Sequence, residues 1–199
     1  MMTPRRWAFF IGLVVLALAA GTGGAVALEE HDPFCAACHT EPETTYVRQI
    51  EMAQTQGFAE TLAAFHALPT DADADGVRCI DCHGGVGVRG RVMALATAAG
   101  DTVKFVSGRY EQPAHLSEPF PDETCIQCHA DYADDPAFEN HVHWAFAEEG
   151  APTDIRCADC HVSHAPGNDF DLYLSRPVVF PLCEECHAAL GRGPTDMGQ

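Results

Sequence analysis

The chain has 199 residues, with 11 Lys+Arg against 29 Asp+Glu and a formal net charge of −18. So acidic a chain lacks the positive footprint that nucleic-acid phosphates require, and its 47% hydrophobic content excludes wholesale disorder. Its ten cysteines are too few for a small disulfide scaffold and many for a cytosolic enzyme.

Arg5 and Arg6 precede an uncharged run from Trp7 to Leu28. As a helix this run would extend about 33 Å, enough for a bilayer core. The two arginines place the N-terminus in the cytoplasm, with Trp7 at the interface. A cleaved signal peptide is the competing reading, because Ala25-Val26-Ala27 has the A-x-A form and Gly21-Thr22-Gly23-Gly24 weakens a helix. Both readings send residues 29–199 to the outer, periplasmic face of the membrane.

Further along, Cys35-Ala-Ala-Cys38-His39 leads into a helix predicted from about Glu43 to His66, with Tyr46, Ile50, Ala53, Phe58, Leu62 and Phe65 on or near one face. Asp71-Ala-Asp-Ala-Asp-Gly76 begins like a calcium loop, but its twelfth position is Cys82 instead of a bidentate Glu, so it reads as a solvated acidic turn. Cys79-Ile-Asp-Cys82-His83 follows, then a second predicted helix over about 90–106. Cys125-Ile-Gln-Cys128-His129 precedes a short predicted helix at about 137–147. Cys157-Ala-Asp-Cys160-His161 and Cys183-Glu-Glu-Cys186-His187 complete the series before a Gly/Pro tail. No strand alternation stands out.

All ten cysteines therefore belong to five C-x-x-C-H strings, the spacing of c-type haem attachment. Two thiols three residues apart on one turn can form thioethers to both haem vinyls, and the following imidazole is the proximal iron ligand. Redox dithiols do not require a histidine after every pair. Structural zinc uses such knuckles in twos and would leave one unmatched, and a disulfide inside C-x-x-C constrains little. The expected cofactor is five covalently attached haem c. Cys35, Cys38 and His39 hold the first, and Cys79, Cys82 and His83 the second. Cys125, Cys128 and His129 hold the third, Cys157, Cys160 and His161 the fourth, and Cys183, Cys186 and His187 the fifth.

That leaves about 34 residues per haem outside the anchor, too few for a conventional core. The expected fold is mostly α with extensive loops: a transmembrane helix over residues 1–28, then a pentahaem cytochrome c domain over 29–199 whose haems form the core. Segments 35–83 and 125–161 each run from a haem motif, through a histidine, to an aliphatic-Arg-Cys-x-Asp-Cys-His string. They read as an internal duplication, with 183–187 as the fifth haem site.

Six histidines lie outside the motifs, one more than bis-histidine ligation of five haems needs. His66 shares the apolar face of Leu62 and Phe58 and reads as a distal iron ligand or a core histidine. His141 and His143 point to opposite sides of a helix and suit two different haems. His164 lies too close to its own motif to reach the far side of that haem and is assigned to a neighbour. His115 is a further candidate, and His31 stands in reserve as ligand, quinol-facing proton acceptor or surface residue. Met52 and Met93 read as packing residues. With every iron doubly ligated, no substrate-reducing site is evident and no catalytic residue is assigned.

Cys157-Ala-Asp-Cys160-His161-Val-Ser-His164 resembles the C-x-D-C-H-V-P-H string of the NapC/NirT/NrfH family of membrane-anchored quinol dehydrogenase cytochromes, departing at Ser163. That family core is tetrahaem, and its first motif is often followed by x-Met, where this chain has Thr40-Glu41. Five motifs behind one anchor also resemble the pentahaem subunit of alternative complex III. The resemblance implies electron hopping from the membrane quinol pool to a periplasmic acceptor, with quinol docking near Glu29, Glu30, His31 and Asp32. The alternatives are an electron-transfer subunit of a larger respiratory complex, or a multihaem reductase with one open haem. The expected partners are the bilayer, quinol, and a redox protein or respiratory complex.

Overall fold

A computed structural model describes residues 3–38, 40–70, 74–113, 120–134, 156–191 and 193–198. Among these residues the fold is helical: α1 (Pro4–Glu29), α2 (Asp32–Cys35), α3 (Glu43–Gln56), α4 (Leu62–His66), α5 (Cys79–His83), α6 (Gly87–Val106), α7 (Glu123–Asp134), α8 (Cys157–Cys160) and α9 (Arg176–Leu190). They include no strand, only a lone antiparallel bridge between Thr61 and Pro166. The predicted helix at 137–147 lies outside the described residues, as do His39, His115, His141 and His143.

α1 opens on Pro4, whose fixed φ and missing N–H suit a first helical turn. Its apolar residues run all round, and none of its most hydrophobic stretch is buried against the protein. Its 26 residues include an 18-residue stretch of mean hydropathy 2.2, so it is long and apolar enough to cross a membrane.

The single helix predicted over Glu43–His66 is two helices. Gly57 takes a left-handed φ of 70° and stops α3, and Thr61 starts α4 by accepting a hydrogen bond from Ala64 N–H at 3.2 Å. Apolar spacing survives across the break, so periodicity alone could not register it. The break also divides the expected face: Ile50 and Ala53 are buried, whereas Phe58 and Phe65 are exposed.

The chain does build one small protein core, where none was expected. Ile50 and Ala53 of α3 meet Ala59, Ala64 and Ala67 around α4, with Tyr173 from the C-terminal third. Tyr173 reaches it through left-handed backbone at Leu172 and Tyr173, φ 50° and 58°, and its ring packs 4.9 Å from Phe65. Holding two non-glycine residues there is strained. Ala63 N–H donates to Ser163 O at 2.8 Å, and Gly167 N–H to Glu60 O at 2.9 Å. These bonds join α4, which carries His66, to the loop that carries His164.

Candidate haem-binding site

The five motifs form a connected series in space. All ten cysteines are described and none is in a disulfide. The Cys79 thiol donates to Cys35, and the Cys157 thiol donates to Cys125. Cys82 feels the charges of Cys125 and Cys128, and Cys160 that of Cys183. Each described motif thus adjoins the next, most tightly within the first and second and within the third and fourth. The donated bond to Cys35 is the main reason the Cys79 thiol is pushed far up. Burial, followed by Asp122, pushes Cys157 up to about 12.

Two pairs of carboxylates explain that proximity. A helix start leaves backbone N–H groups without partners. At α5, Asp81 accepts from Arg78 N–H at 2.8 Å, and Asp32 accepts from Cys79 N–H at 3.0 Å. At α8, Asp159 accepts from Arg156 N–H at 2.8 Å, and Asp122 accepts from Cys157 N–H at 2.7 Å. The inner acid belongs to the C-x-D-C-H string itself. The outer acid lies three residues before the first cysteine of the preceding motif, so it clamps one motif onto the next. Asp122 was not singled out from sequence and Asp32 was named only beside the expected quinol site, although Asp32-Pro-Phe-Cys35 and Asp122-Glu-Thr-Cys125 carry the signal.

Two imidazoles on opposite sides of one iron need ring centroids about 6 Å apart, given metal–nitrogen bonds of about 2 Å. His83 and His164 lie 6.2 Å apart with planes 20° from parallel, and His66 and His129 lie 5.9 Å apart at 87°. α7 kinks at His129 (φ −112°, ψ 34°). Burial, reinforced by the neighbouring His83, lowers the His164 pKa to about 4. Burial lowers His83 as well, opposed in part by Glu43. Both shifts favour the neutral imidazole, the form that binds metal. His164 Nδ1 is buried without a hydrogen-bond partner, and its ring stacks on Tyr46 at 4.0 Å.

Three rings, His66 among them, are held as iron-binding imidazoles are held, with one nitrogen tied to a backbone carbonyl. His66 Nδ1 donates to Leu62 O at 2.9 Å, His161 Nδ1 to Leu172 O at 3.3 Å, and His187 Nδ1 to Pro194 O at 3.0 Å. A carbonyl only accepts, so the proton is on Nδ1 and Nε2 keeps its lone pair. The third contact gives the Gly/Pro tail a role that composition did not reveal. Gly193 has a φ of 84°, and a Cβ there would lie 2.6 Å from His187 Nδ1. The residues present thus fit haem c on imidazole spacing, tautomer and paired thiols. Among the described residues no three His, Cys, Asp or Glu converge as a separate metal cluster, so zinc is not supported there.

At the exit from α1 the acidic side chains are engaged. Glu29 pairs with Arg91 and Glu30 with Arg78, while Asp32 holds Cys79. His31 is exposed at the start of α2 and is not brought to any motif histidine by the ring contacts above.

A family model described as Cytochrome c3 matches residues 109–188, a span holding the last three motifs. The chain is 27% identical over 200 residues to the cytochrome c-type protein Cgr1 of Eggerthella lenta, covering 92% of this chain and 83% of that protein. No solved structure matches. These likenesses support a mostly helical, c-type cytochrome that carries electrons on covalently bound haem c.

Proposed function

We propose that the chain is a pentahaem cytochrome, with residues 1–28 as a membrane anchor and 29–199 as the haem domain on the outer face of the membrane. Bound haem c supplies one-electron redox chemistry, and the chain's part is to attach, ligate, space and desolvate it. The ten motif cysteines are the tethers, and His39, His83, His129, His161 and His187 the proximal ligands. The reading rests chiefly on the two histidine pairs, each joining a motif to a histidine outside the motifs at an iron-spanning separation.

Those pairs support His164 as the distal ligand of the second haem and His66 as that of the third. His31, His115, His141 and His143 remain the candidates for the other three. The adjacency of successive motifs gives an unbroken order from the first to the fifth. The matching clamps at Asp32 and Asp122 support the duplication of 35–83 in 125–161. α1 precedes the first motif directly, which fits entry of electrons from membrane quinol and exit to an outer acceptor, in the manner of the NapC/NirT/NrfH family. Quinol docks, on this reading, beside His31.

Ligand replacement tests the assignment. The wild-type protein is expected to be all low-spin and to bind no carbon monoxide. His66→Ala and His164→Ala should each create one high-spin haem binding one carbon monoxide, and the double variant two. Full low-spin spectra in both single variants would refute the pairing. A quinol analogue that reduces no haem in the membrane-reconstituted protein would refute the quinol route.

A further inference from the structure

Among the described residues α6 is the longest helix after α1, and none of its 20 residues is buried. Its half-buried residues, Gly90, Arg91, Ala94, Leu95, Asp101 and Phe105, mark the side turned to the rest of the protein. At 100° per residue, Val88, Val92, Val103 and Val106 fall on a different stripe, with Ala96 and Ala99 between them. The four valines are 85, 58, 68 and 80% exposed. An apolar stripe of this length on a soluble surface marks an interaction site.

Two observations point to what covers it. The first turn of α6 is fastened to the end of α1 by the Arg91–Glu29 ion pair, in which the Glu29 side chain is only 14% exposed. The valine stripe therefore starts where the apolar α1 ends. The second observation is charge: with Arg91 paired to Glu29 and Lys104 to Asp101, α6 still carries Arg89 with no further acid in the helix, and Arg109 follows. A net positive helix in a chain of charge −18 fits an anionic surface. α6 is not apolar enough to span, since α1 is the one helix among the described residues that meets that test. A helix with an apolar stripe, basic flanks and low overall hydropathy lies in the interface plane.

We propose that α6 lies on the membrane surface, its valine stripe in the headgroup–acyl boundary and Arg89 and Arg109 toward anionic lipid headgroups. The inference rests on the reading of α1 as a membrane anchor. α6 would then hold the first two motifs at a fixed height and tilt over the bilayer, which a single flexible span does not do.

The test is photo-labelling of the full-length holoprotein in vesicles of phosphatidylcholine with phosphatidylglycerol, using a lipid with a diazirine near the headgroup. Modified peptides are then mapped by mass spectrometry. Labelling is expected on both α1 and the valine side of α6. In pure phosphatidylcholine the α6 labelling should fall several-fold while that of α1 persists. The variant V92E/V103E should lose α6 labelling with haem content unchanged. The wild-type map decides the matter even if that variant misfolds. Labelled α1 with unlabelled α6, or α6 cross-linked only to protein, would overturn the proposal and leave the anchor standing. No labelling of either helix would overturn both.

Discussion

Replacing Asp122 by Ala removes the acceptor that ties the third motif to the fourth. The bond to Cys157 N–H is 2.7 Å long and partly buried, and its acceptor is a carboxylate at the start of a helix. Hydrogen bonds to charged groups contribute about 1.5–3 kcal/mol, and loss of a helix N-cap costs about 0.5–2 kcal/mol. Water can replace part of this interaction, so the overlap of the two ranges, about 1.5 kcal/mol, is the expected loss. For a chain of this size that lowers Tm by about 5 °C. Asp122→Asn keeps an oxygen in place without its charge and should lose about half as much. Asp32→Ala should behave like Asp122→Ala, because the same bond recurs at 3.0 Å. Thermal melts followed by far-ultraviolet circular dichroism measure the stability term. The splitting of the Soret dichroism reports the relative orientation of neighbouring haems and should change in the two alanine variants. Exposed Glu51→Ala is the control. Melts of both clamp variants no lower than the control, with an unaltered Soret dichroism, would refute the role assigned to these carboxylates.

Thr61→Val removes a cap on α4 from a residue that is 1% exposed, with an expected loss of about 1–2 kcal/mol. Because Thr61 also bridges to Pro166, the second and third haems should show raised high-spin content together, read by electron paramagnetic resonance. Gly193→Ala places a Cβ against His187 on left-handed backbone, at a cost of about 1 kcal/mol or more. The fifth haem alone should shift its reduction potential, resolved by redox titration, with the other four unchanged.

Much of this was legible from the chain, and the remainder was hidden for physical reasons. The five C-x-x-C-H strings are visible because tether and ligand must lie within one helical turn. α6 was visible over 90–106 because apolar spacing persists there, and only its start, at Gly87, was misplaced. The break between α3 and α4 was hidden because Phe58, Leu62 and Phe65 continue the helical period across Gly57. α9 went unforeseen because Pro181 and the motif it carries disguise a continuous helix. His66 and His164 were recognisable as spare ligands, but their partners depend on the kink at His129 and the bridge from Thr61 to Pro166. No local pattern encodes such contacts. Asp32 and Asp122 stood in plain view at matching positions, yet their meaning lies 47 and 35 residues away.

On the proposed duplication, the two histidine pairs cross between the halves. The second motif, in the first half, faces His164 from beyond the fourth motif, while the third motif, in the second half, faces His66 from the first. Two autonomous haem pairs would need no such exchange. On that reading each half completes a site in the other, and both histidines sit on one backbone unit, joined by Ala63 to Ser163 and Gly167 to Glu60. That explains why the compact protein core among the described residues lies at α3, α4 and Tyr173, with Cys79 the one motif residue packed against it. Its small residues, Ala53, Ala59, Ala64 and Ala67, let backbone approach backbone, and that close approach brings His66 and His164 within reach of opposite halves. The ordinary packing of this chain is thus concentrated where two ligands must be placed by something other than the local geometry of C-x-x-C-H.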